Sequence, residues 1–354
     1  MASRNPQFRC ASRRACAPAT RPPRIFTAIV AFALVVLWPS SLCHAVTALA
    51  EGYAVRIWQT DDGLPQNMVT SAAQTRDGYI WFGTYSGLAR FDGDRFQVFD
   101  PSNTPALRDR RVSCLFADDQ DVLWVGQESG TIDRYFGGHF EPFPAATDKL
   151  EKVLSIGSDR RGHVWAMRHS GALENLSAGE KIASPIAPSL PAVMAFSRNP
   201  RGDIWLAENG NAASLVEGRL IHTSLPSPRR DSYVLNLAAA HDGGAWILCD
   251  GRVRKWAEGR WVEDRGAFPW PEGAVACSLE MHDGTLAVGT IYSGLFLFFR
   301  DGRSPVRLDS RNGLPQNWIR FLFEDREGTL WAGTGTAGLV SIHASPVSVL
   351  APPD

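Results

Sequence analysis

The sequence predicts an all-β protein, a seven-bladed β-propeller of four-stranded antiparallel blades, and three observations carry that prediction. Trp81, Trp124, Trp165, Trp205, Trp246 and Trp331 recur at spacings of 43, 41, 40, 41 and 85 residues. The last spacing is a double step whose missing member is Ala287 in "DGTLAVGT", so about 42 residues repeat seven times. Three residues before each member of that column stand Gly78, Asp121, Gly162, Gly202, Gly243, Gly284 and Gly328. This turn position needs a positive φ, which glycine adopts freely and aspartate tolerates. Finally, short runs rich in Val, Ile, Leu and aromatics alternate with Asp, Gly and Asn turns, and no unit shows helical periodicity.

The first unit, "VTSAAQTRDGYIWFGTYSGLARFDGDRFQVF", supplies four strands joined by three turns. The last, "IRFLFEDREGTLWAGTGTAGLVSIH", supplies only three. A small sheet cannot bury both faces alone, so stacking around a ring places each Trp between neighbours. Gly83, Gly126, Gly289 and Gly333, two residues after the column, are read as points where a side chain would block close packing. The ring closes if "YAVRIW", Tyr53 to Trp58, adds the missing outer strand to the seventh blade; "SPVSVL", Ser345 to Leu350, competes for that edge. The propeller then spans residues 51–344, with residues 345–354 as a C-terminal tail.

Residues 1–50 read as a signal peptide. Six arginines and no acid precede "IFTAIVAFALVVLW", Ile25 to Trp38, which is too short for a comfortable membrane span. "CHA" and "ALA" offer small residues for cleavage after Ala45 or Ala50, and an uncleaved anchor is the alternative. Leu42 before Cys43 argues against a lipoprotein. The expected location is therefore the periplasm. Without those six arginines the 36 basic residues fall to 30 against 37 acidic ones, a net of −7. Such a surface has no broad attraction for nucleic acid. Cys114, Cys249 and Cys277 fit no zinc or disulfide spacing and read as small buried hydrophobes.

"DGLPQN" followed by "RDGYIWFGTYSGLARFDG", together with "EDREGTLWAGTGTAGL", resembles the two-component regulator propeller repeat. The resemblance covers roughly residues 51–342. It is good in units 1, 2 and 7 and weak in units 3 and 4, which lose the GT and GL elements; unit 6 lacks the Trp. It implies the periplasmic sensor part of a histidine kinase, hybrid sensor or diguanylate cyclase, feeding a two-component or cyclic-di-GMP type system. The chain carries no kinase, receiver or cyclase motif of its own, so it reads as a stand-alone sensor or as part of a larger one.

"GLPQN" occurs at Gly63 and again at Gly313, 250 residues apart, as Trp81 and Trp331 are. It is therefore the same loop in the first and seventh units. Loops leading into the inner strands share one rim with those between the second and third strands, where propellers bind ligands. From blade 1 the candidates are Gln66, Asn67, Tyr85 and Ser86, and from blade 2 Arg111 and Glu128. Arg168, Asn209 and Tyr292 come from blades 3, 4 and 6, and Gln316, Asn317 and Trp318 from blade 7. Amides with Tyr and Trp suit a small polar ligand such as an oligosaccharide. The same Gln and Asn could instead satisfy loop backbone groups.

No cofactor is expected. "GTGTAG", Gly333 to Gly338, matches a dinucleotide fingerprint, but a strand rather than a helix follows it. His241 and His282 share a turn column that could hold a metal, yet solvated turn residues fit as well. The chain is read as a non-enzyme. The alternatives are a propeller enzyme, sialidase-like because "DREGTLW" and "RDGYIW" resemble an Asp-box, or lyase-like because propeller lyases also have seven blades, and a protein-binding scaffold.

Overall fold

The computed structural model describes residues 47–50, 52–144, 150–182, 195–208, 210–226, 234–271 and 275–344. They belong to one compact unit, residues 44–354. Seven antiparallel sheets form the blades of a propeller. The first consists of Val69–Gln74, Ile80–Thr84, Gly87–Phe91 and Phe96–Phe99, from the inner strand outward. The inner strands of the others are Val112–Ala117, Val153–Ser158, Ala195–Arg198, Val234–Ala239, Val275–Glu280 and Ile319–Glu324.

The ring closes as expected. Tyr53–Trp58 pairs antiparallel with Leu339–Ala344 and becomes the fourth strand of blade 7. The competing segment 345–350 lies outside the described residues. Thr47–Ala50 adds a fifth strand beyond Tyr53–Trp58, so the fold reaches into the stretch read as leader. Cleavage after Ala45 would leave that strand whole, and cleavage after Ala50 would remove it. Residues 1–46 lie outside the described residues.

All seven members of the turn column have positive φ, from 64° at Asp121 to 111° at Gly243. In blades 2, 3 and 7 the turn is held by the side chain six residues before the Trp. Asp118, Asp159 and Asp325 use one carboxylate oxygen to accept backbone N–H groups of their own turn. The other oxygen accepts the indole N–H of Trp124, Trp165 or Trp331 at 2.8, 3.0 and 2.7 Å. One side chain therefore sets both the hairpin and the core Trp. Blade 5 has Ala240 at this place, and the Trp246 indole donates instead to Glu280 of blade 6 at 2.8 Å.

Trp81, Trp165 and Trp246 are among the largest fully buried side chains. Trp205 departs from the expectation, being only partly buried against the blade 4–5 core. The glycines after the Trp column do admit close packing. A Cβ on Gly126 or Gly289 would lie 2.5 Å from the sulfur of Cys114 or Cys277, which fold over them from the inner strand.

Candidate functional site

The inner strands would present bare edges around the axis. Side chains of adjacent blades cover part of them. Thr70 and Ser113 donate to the carbonyls of Val112 and Val153, and the Ser71 and Ser197 hydroxyls accept the N–H groups of Leu115 and Ala239. Between the strands remains a central channel of about 600 Å³, within the ordinary range of ligand pockets.

Charged and ionisable side chains line this channel at two levels. Arg320 stands at the second residue of the blade 7 inner strand, its guanidinium carbon 5.5 Å from the Trp318 ring centre. Arg198, His282, Glu324 and Arg326 stand at the opposite end. Arg198 donates to the Ser158 carbonyl at 2.8 Å and lies 3.7 Å from Asp119. Burial lowers its pKa, and Asp119 opposes the shift. Arg326 donates to the carbonyls of Arg76 and Thr75 across the blade 7–1 junction. Glu324 accepts the backbone N–H of His282 at 2.7 Å and faces its Nδ1 at 2.9 Å. Burial pushes the Glu324 carboxyl up, and the His282 contacts pull against it. Cys114 and Cys277 also line the channel, but burial pushes both thiols up to about 12, leaving them unreactive as thiolates.

The "GLPQN" side chains serve the backbone. Asn67 Oδ1 accepts the N–H of Thr60 at 2.9 Å, and Asn317 Oδ1 that of Ser310 at 2.8 Å. Gln66 Oε1 accepts the N–H of Tyr85, and Gln316 Oε1 that of Thr336. The carbonyls of Asn67 and Asn317 accept Gly338 and Gly294, each on the preceding blade. The "GT" element belongs to the same device: Thr84, Thr290 and Thr334 each donate their hydroxyl across the following turn at 2.8 Å. Ser86 donates its N–H to the Thr84 hydroxyl. Trp318 lies over Gly335, whose N–H its carbonyl accepts. "GTGTAG" leads into the strand Leu339–Ala344, as expected.

Three other candidates do come together. Tyr85, Arg111 and Glu128 meet on the rim where blades 1, 2 and 3 adjoin, with Lys152 as a fourth member that sequence reasoning missed. Lys152 and Arg111 both pair with Glu128, Arg111 at 3.8 Å, and both lie within 6 Å of the Tyr85 ring centre. Burial pushes the Glu128 carboxyl up, but hydrogen bonds from Lys152 and Tyr85 outweigh it and hold the pKa below the ordinary value. The Lys152 ammonium is held above its ordinary value by the same pairing, against burial. The pair is therefore ionised at neutral pH.

The remaining candidates stand apart. Tyr292 is exposed on the same rim. Arg168 is not on the open rim: it is buried, donating to Glu174 at 2.6 and 2.8 Å and to the Gly130 carbonyl of blade 2 at 2.7 Å. Asn209 lies outside the described residues. The His241 and His282 rings lie 5.8 Å apart, and no group of three potential ligands that could hold a metal occurs among the described residues.

Residues 63–86 and 313–336 match the two component regulator propeller family. Both matches run from the "GLPQN" loop through the Trp strand to the following turn. No curated protein matches the sequence. Among solved structures, the chain is similar to the extracellular domain of a B. thetaiotaomicron protein described as a hybrid two component system. That match has 17% identity and a TM-score of 0.60, over 83% of this chain and 42% of the other. A streptogramin B lyase matches at 14% identity and a TM-score of 0.66, over 84% and 99% of the two chains. Virginiamycin B lyase from Staphylococcus aureus matches at 12% and 0.65, over 82% and 99%. Likeness at these identities shows the fold alone. No helix among the described residues is long and apolar enough to cross a membrane.

Proposed function

We propose that this chain is a non-catalytic, periplasmic ligand-binding propeller of a sensor, feeding a two-component or cyclic-di-GMP type partner such as a membrane-bound histidine kinase or diguanylate cyclase. The observation that carries this reading is the junction of Tyr85, Arg111, Glu128 and Lys152, in which three blades contribute polar groups to one patch of the rim. A ligand bridging them would change how the blades bear on one another, and a bias between two arrangements is what a sensor transmits. The repeats of the regulator propeller family and the likeness to a sensor ectodomain support the reading. An aromatic ring beside two cationic donors and a carboxylate acceptor suits a small polar ligand, oligosaccharides included.

A propeller lyase is the second reading, favoured by the paired imidazoles of His241 and His282 near one mouth of the channel. One experiment separates the two. The purified chain is screened by thermal shift against oligosaccharides, amino acids and cell-wall fragments, since a ligand that binds only the native state raises the midpoint. A ligand recovered unchanged, whose shift is lost in Tyr85→Ala, supports the sensor. A ligand that is consumed supports the enzyme, and silence across the library overturns both.

A further inference from the structure

We infer that the central channel is itself a binding site, and that its ligand is a small monoanionic carboxylate held by Arg320. The inference rests on the reading of this chain as a ligand-binding sensor and adds a ligand class and a place. Arg320 lies within the stretch 313–336 that matches the repeat family, but its counterpart in the other matched stretch, 63–86, is Thr70, so the charge is not part of the shared motif.

The second residue of the inner strand is Thr70, Ser113, Leu154, Leu235 and Ala276 in five other blades, and arginine only in blade 7. Neutral residues therefore build this level of the ring well, and the charge is not needed for packing. Among the described residues no carboxylate or carbonyl pairs with the Arg320 guanidinium; its one recorded contact is the Trp318 ring at 5.5 Å. The hydroxyls beside it at the same level, Thr70 and Ser113, are committed to the carbonyls of neighbouring blades. Arg320 thus offers a planar fork of donors to the channel, the geometry that takes a carboxylate in two parallel hydrogen bonds.

The charge of the surroundings selects the ligand further. Beyond the leader the protein carries a net of −7, so its surface does not collect anions in general. The channel reverses that sign locally, with Arg198, Arg320 and Arg326 against Glu324 as the one carboxylate in its wall among the described residues. At the far end those charges are already engaged: Glu324 with His282, Arg198 with Ser158 and Asp119, and Arg326 with carbonyls. One guanidinium is left to neutralise one negative charge, and Glu324 disfavours a second at the other end. The walls mix backbone edges and hydroxyls with Phe196, Phe321 and Leu322, so the body of the ligand can be either polar or aromatic.

The test uses the full chain and two matched pairs of probes, followed by titration calorimetry. Glucuronate is compared with glucose, and phenylacetate with phenylacetamide. At least one acid should bind, its neutral counterpart at least tenfold more weakly, and affinity should fall as salt rises. Binding by glucuronate alone identifies a polar body, and binding by phenylacetate alone an aromatic one; either supports the proposal. Arg320→Gln should lower the acid's affinity at least tenfold with an unchanged thermal midpoint. Arg320→Lys, which keeps the charge but not the fork, should fall between. Arg95→Gln, exposed on the outer hairpin of blade 1, should leave this binding unchanged. The proposal fails if neither acid binds, if the neutral partners bind equally well, or if Arg320→Gln binds like the wild type. A neutral oligosaccharide whose binding depends on Tyr85, with both acids silent, would overturn the channel site and leave the rim sensor standing.

Discussion

Blades 1 and 7 keep the repeat motif whole, and blade 3 has lost most of it, yet all three are four-stranded or larger sheets of the same ring. The intact blades are tied by neutral, short-range staples. Asn67 and Asn317 hold the loop into the inner strand, Gln66 and Gln316 hold the next turn, and Thr84 and Thr334 close that turn. Blade 3 has Arg168 where those blades have the threonine. Its guanidinium reaches Glu174 on its own blade and the Gly130 carbonyl of blade 2. The third and outer strands there, Leu173–Asn175 and Glu180–Ile182, are each three residues long. Many weak neutral contacts and one buried ion pair are thus two ways of holding the same turn. They differ in what happens when one partner is removed.

That difference can be broken directly. Arg168→Ala should destabilise the chain most, by about 3–5 kcal/mol in urea unfolding, because Glu174 would remain buried without its partner. Replacing both Arg168 and Glu174 with apolar residues of similar volume should recover much of that loss. Gly126→Val should cost about 1–3 kcal/mol, since its side chain would meet Cys114 and Val153. Single staples should matter less: Asn317→Ala loses one hydrogen bond to the Ser310 N–H, about 1 kcal/mol.

The smallest effect concerns acid. Hydrogen bonds from Arg311 hold the Asp309 carboxyl, just before the blade 7 loop, below its ordinary range. In blade 3 burial pushes Asp159 up, but bonds from Trp165, His163 and Arg161 outweigh it and leave its pKa lowered. A carboxyl with a depressed folded pKa contributes stability that is present above its unfolded pKa of about 4 and lost as pH falls through the folded value. Stability measured down a pH series should therefore decline below about pH 4, and Asp159→Asn should flatten part of that decline.

The ring was legible because its determinants recur. The Trp column, the positive-φ column and the incomplete seventh unit each follow from local chemistry repeated at a fixed period. The orphan strand Tyr53–Trp58 could be assigned because blade 7 lacked an outer strand. The site was less legible. Tyr85, Arg111 and Glu128 could be placed on one rim by topology, but Lys152 joins them only through the curvature of the ring. Arg320 was visible as the one charge in its column. That it lines the channel depends on the tilt of the blade, which strand alternation alone does not set. Arg168 was misplaced on the rim because its buried pairing with Glu174 and the Gly130 carbonyl of blade 2 depends on contacts between strands and blades that the repeat does not reveal.

The central claim is that the phrase repeated at Gly63 and Gly313 staples the ring. The measurement that tests it most directly is equilibrium urea unfolding of Asn67→Ala combined with Asn317→Ala. The staples predict a loss of about 2 kcal/mol, about one hydrogen bond's worth from each loop. An unfolding curve that superimposes on the wild type would contradict the claim.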